Sequence, residues 1–112
     1  KTSFCEYLPV KLSDGKNSIS DKYLSPSNIL EVLGRYGISS LMIEGGVKVL
    51  RSFMNSDLIN EMHIYTSNNI IGQSELKNPL KIDDNWNIVS EMDFENDSLT
   101  IFRRKELCLQ VL

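Results

Sequence analysis

A Glu44-Gly45-Gly46 step, set between the apolar run Ile38 to Ile43 and an amphipathic stretch from Val47 to Asn55, constrains this chain more than any other feature. The run before it is too short for a helix and has glycines on both sides, so it reads as a buried strand. The stretch after it puts Val47, Leu50, Phe53 and Met54 on one face and Lys48, Arg51 and Ser52 on a polar edge, the pattern of a one-faced helix. A strand that stops at paired glycines and opens a helix leaves backbone N–H groups free at the positive end of a helix dipole, with no side chain in the way. Such a turn suits a phosphate group, although glycine pairs also serve as plain strand-to-helix turns. Glu44 falls at the carboxyl end of the strand, where open α/β sheets keep their ligands. It is therefore either a ligand-binding carboxylate or a cap for the helix that follows.

The flanking sequence extends the same grammar. Ser25-Pro26 is a helix-start signal, with Ser25 as N-cap and Pro26 at the first helical position, and Ile29, Leu30 and Leu33 follow at helical spacing. Gly34 and Gly37 bracket the end, and either can take the left-handed cap. Helix, glycine, strand, Gly-Gly, helix is the order of an α/β fold. Upstream, residues 4 to 12 fit a short strand edged by Pro9, and Ser13 to Ser18 a turn centred on Asp14-Gly15. Downstream, Asn55-Ser56-Asp57 breaks the helix and Glu61 to Tyr65 alternates as a strand, with Met62 and Ile64 on one face. Thr66 to Asn69 is a polar loop, Ile70-Ile71-Gly72 an apolar hook, and Gln73 to Asn85 a surface loop. Trp86, Ile88, Ser90, Met92 and Phe94 then keep strict period two, and Glu95-Asn96-Asp97 returns the chain into Ser98 to Arg103 as an antiparallel hairpin. The apolar tail Leu107 to Leu112 covers the core, pairs at an edge or lies in a subunit contact.

Composition narrows the function classes. With 112 residues, 41% of them apolar, the expectation is a single domain over 1–112 with an ordinary core. A formal charge of -3 and no basic patch larger than Arg103-Arg104-Lys105, which reads as the solvated end of a strand, argue against nucleic acid as a partner. Cys5 and Cys108 match no metal-ligand spacing and no disulfide framework, so no metal is expected and the thiols read as reduced. No window reaches the about 18 apolar residues of a membrane helix and the N-terminus lacks a signal-peptide core, so the expectation is a cytoplasmic protein with no membrane partner. His63, the single imidazole, and Tyr65 lie out of phase with Met62 and Ile64 and read as exposed side chains, not as an acid or base. Trp86 reads as core or subunit interface.

Taken together, Ile29-Leu30-Glu31-Val32-Leu33-Gly34, Gly37 to Gly46, Leu58 to Tyr65 and Ile71-Gly72 resemble the reductase domain of bacterial riboflavin biosynthesis. The family pattern is a helix ending in Leu-Gly, a Gly-Ile turn, a strand closing in Glu-Gly-Gly, a helix, a strand with a Tyr, and a Leu-Gly hook. The resemblance is to the second half of that domain only, and the final hairpin is compatible with it. The zinc-deaminase pattern that many relatives carry, His-x-Glu with Pro-Cys-x-x-Cys, is absent from this sequence.

The resemblance implies an α/β fold similar to dihydrofolate reductase: a mixed sheet flanked by helices, with a C-terminal antiparallel hairpin. It implies an NADPH-dependent reductase acting on a phosphorylated aminopyrimidine, whose ribosyl side chain becomes ribityl. Carried over by position, Glu44 is a substrate ligand, while Gly46, Val47, Lys48, Val49 and Leu50 lie against NADPH and Gly45 permits the close approach. The first half of the family domain supplies much of the substrate pocket, so either that half or a second copy of the chain in a homodimer is the expected partner. A non-catalytic nucleotide-binding subunit or fragment that keeps the phosphate cradle is the alternative.

Overall fold

The computed structural model describes residues 5–14, 22–72, 78 and 80–105. They belong to two compact units, Lys1–Leu58 and Ile59–Leu112. The tail Leu107 to Leu112 with Cys108, the Asp14-Gly15 turn from Gly15 on, and residues 73–77 and 79 of the Gln73 to Asn85 loop lie outside the described residues.

In the first unit, β1 (Ser13–Asp14) pairs antiparallel with β2 (Lys22–Tyr23), and two helices follow, α1 (Pro26–Arg35) and α2 (Val47–Asn55). Residues 5 to 12 carry no strand pairing, so the short strand expected there is not formed. The start of α1 is as the sequence dictates. Ser25 has extended backbone angles and its Oγ accepts the Asn28 backbone N–H at 3.2 Å, while Pro26 occupies the first helical position without needing a donor. The Asn28 side chain in turn donates to the Lys11 carbonyl at 2.8 Å and to Ser13 Oγ at 2.9 Å, tying the first turn of the helix to the chain before it.

Of the two glycines that could end α1, Gly37 does so. Its φ is +80°, its N–H donates to the Gly34 carbonyl at 3.0 Å, and the Ile38 N–H reaches back to the Leu33 carbonyl at 3.1 Å. These two bonds are a Schellman closure, which consumes carbonyls that the last helical turn would leave unpaired.

The run Ile38 to Ile43 departs from expectation. It forms no strand ladder among the described residues, and its apolar side chains are largely open, Met42 being 79% exposed. A strand is stable only when a neighbour takes its N–H and C=O groups. No described segment does so here, and every strand pair in the structure is antiparallel.

The second unit is a three-stranded antiparallel sheet in the order β3-β5-β4, with β3 at Glu61–Ser67, β4 at Trp86–Phe94 and β5 at Asp97–Arg104. The hairpin turns through Glu95 and Asn96, with Glu95 at φ +47° because two-residue hairpin loops need a positive φ at their first position. Central β5 carries Leu99, buried at 5% exposure, in register between Tyr65 and Met92.

The single-phase reading of β4 is corrected. The register slips between Ile88 and Ser90, so Val89 is an extra residue and the sides exchange beyond it. Trp86 and Ile88 share the face of Phe102 and Arg104, whereas Ser90, Met92 and Phe94 share that of Leu99 and Ile101. Trp86 is buried, with the Arg104 guanidinium 4.6 Å from its ring centroid, so Arg104 is not simply the solvated end of a strand. Arg104 Nε also donates to the Ile59 carbonyl at 2.8 Å.

Ser25→Ala should lower the unfolding free energy by about 1 kcal/mol, the usual worth of a serine N-cap, in urea titration followed by circular dichroism. Leu99→Ala should cost about 2–5 kcal/mol in the same assay, the range for truncating a buried leucine.

Candidate functional site

The candidate site is the junction Glu44 to Leu50, in the first unit. Gly46 is the N-cap of α2, with φ -75° and ψ 174°, and its carbonyl accepts the Leu50 N–H at 3.2 Å. No side chain caps the helix. The first amides of α2, from Val47, Lys48 and Val49, are thus without the side-chain acceptor that serves Asn28 at the start of α1. The Glu44 side chain is exposed, two residues before the N-cap.

The two glycines differ in what they contribute. Gly45 has φ +136°, a backbone state that side-chain-bearing residues rarely adopt, and a Cβ placed on it would sit 3.9 Å from Val49 Cβ. Its requirement is conformational. Gly46 has ordinary extended angles, and a Cβ there meets nothing within 4 Å. The protein has no steric need for glycine at Gly46, so the open space on that side is free for a ligand. Lys48 and Val49 are exposed, while Val47 and Leu50 are half-buried. A diphosphate fits this arrangement: uncapped N–H donors, a helix dipole, an exposed lysine in the first turn and no side chain over the approach.

The family described as the RibD C-terminal domain matches residues 5–97. The chain belongs to that family. A curated relative, the riboflavin biosynthesis protein RibD of Actinobacillus pleuropneumoniae, is 30% identical over 60 residues, which is 54% of this chain and 16% of the relative. The chain therefore spans a small part of that relative's length. No solved structure matches it.

In this RibD C-terminal domain the seven residues picked from sequence, Glu44 to Leu50, stand together by continuity of the chain. The hook Ile70-Ile71-Gly72 is placed in full solvent, with Ile71 99% exposed and Gly72 at φ +89°. Among the described residues no group of three or more His, Cys, Asp or Glu side chains could hold a metal ion. Cys5 is exposed and free, and Cys108 lies outside the described residues. No helix among the described residues is long and apolar enough to cross a membrane.

Sequence reasoning missed one charged cluster, in the second unit. His63 Nε2 lies 2.6 Å from Glu61 Oε1, and Arg103 Nη2 donates to Glu61 Oε2 at 3.1 Å. The β3–β5 register places Glu61 opposite Arg103, and His63 follows two residues along the same face of the strand. The hydrogen bond from His63, then that from Arg103, hold the Glu61 carboxyl below its usual range. His63 is exposed on β3, as the alternation of that strand leads one to expect.

Gly45→Ala should lower stability by about 1–3 kcal/mol in urea unfolding, because alanine cannot relax at positive φ. Gly46→Val should cost less than about 1 kcal/mol, as valine is only a poorer N-cap there. For Glu61, the depressed carboxyl makes a stabilising contribution that is complete above the ordinary carboxylate pKa and is lost as pH falls through the lowered one. The thermal midpoint of Glu61→Gln should therefore lie below that of the parent chain at pH 7, with the gap narrowing as the solution is made strongly acidic.

Proposed function

We propose that this chain forms the cofactor-binding part of an NADPH-dependent 5-amino-6-(5-phosphoribosylamino)uracil reductase of riboflavin biosynthesis. The observation that carries the reading is the uncapped start of α2 behind Gly45 and Gly46, in a chain that belongs to the RibD C-terminal family. The name of the relative, a riboflavin biosynthesis protein, supports the pathway.

In this reading the amides of Gly46, Val47, Lys48 and Val49 hold the cofactor diphosphate. Gly45, at φ +136°, makes the turn that leads into them, and half-buried Leu50 follows in the first turn of α2. Lys48 adds a positive charge at the helix start. Glu44, which is exposed, accepts hydrogen bonds from hydroxyl or amino groups of the phosphorylated aminopyrimidine. NADPH supplies a hydride when bound, and the chain's contribution is to fix the two ligands relative to each other. The parent architecture in this reading is a dihydrofolate-reductase-like mixed sheet flanked by helices, completed by the first half of the family domain or by a second copy of the chain in a homodimer.

Calorimetric titration of the chain with NADPH, with solution mass measured on the same sample, tests the proposal. Saturable binding is expected, weakened at least about tenfold in Gly46→Val, equivalent to about 1.4 kcal/mol. Glu44→Gln should leave NADPH affinity within about twofold while weakening the aminopyrimidine, since a neutral amide loses the charge-assisted bond. Absence of NADPH binding by a folded sample overturns the assignment. Binding without reduction by the chain in its assembled state would instead favour a nucleotide-binding subunit.

A further inference from the structure

We draw no further inference here: the strongest candidate, the open apolar face of the three-stranded sheet where Tyr65, Met92 and Phe94 surround buried Leu99, carries nothing because nothing in the structure shows what covers it.

Discussion

Backbone hydrogen bonding decides which segments of this chain become regular and which do not. β5 is the one described strand bonded along both edges, to β3 on one side and β4 on the other, and buried Leu99 lies on it. A central strand has each N–H and C=O satisfied and its side chains flanked on two sides, so it gathers burial that edge strands cannot. The run Ile38 to Ile43 has a more apolar sequence but no ladder among the described residues, and its side chains stay largely open. Hydrophobicity selects candidates for the interior, and the availability of a hydrogen-bonding neighbour decides among them.

The candidate site follows from the same accounting at a helix end. α1 satisfies its first turn with Ser25 and its last with the Gly37 closure, leaving little for a ligand to do. α2 is closed at its C-terminal end by the Ser56 hydroxyl donating to the Phe53 carbonyl at 2.6 Å, and by Asp57 at φ +58°. Its N-terminal end is left open behind two glycines. A helix capped at one end and open at the other offers backbone donors to an anion at the open end.

Much of this was legible in the chain because it rests on short-range rules. The Ser25-Pro26 start, the bounds of α2, the alternation of β3 and the hairpin through Glu95 and Asn96 all depend on residues within a turn or two of one another. Side-chain direction in β4 was not legible, because the extra residue Val89 appears only when β4 is laid against β5. The Glu61–His63–Arg103 cluster was hidden for the same reason: 42 positions separate Glu61 from Arg103 along the chain.

The sequence by itself determined where both helices begin and where α2 ends, which strands turn back on each other, and that Glu44 to Leu50 form one continuous junction, since caps, glycines and period-two patterns act through neighbouring atoms. Tertiary structure alone decided that Gly37 and not Gly34 closes α1, that Val89 reverses the faces of β4, that Arg104 stacks on Trp86, and that Ile38 to Ile43 carries no ladder. Each of the last three depends on register or partner availability between distant segments, and the choice of Gly37 on how far the helical bonds extend before the left-handed turn becomes the better acceptor arrangement.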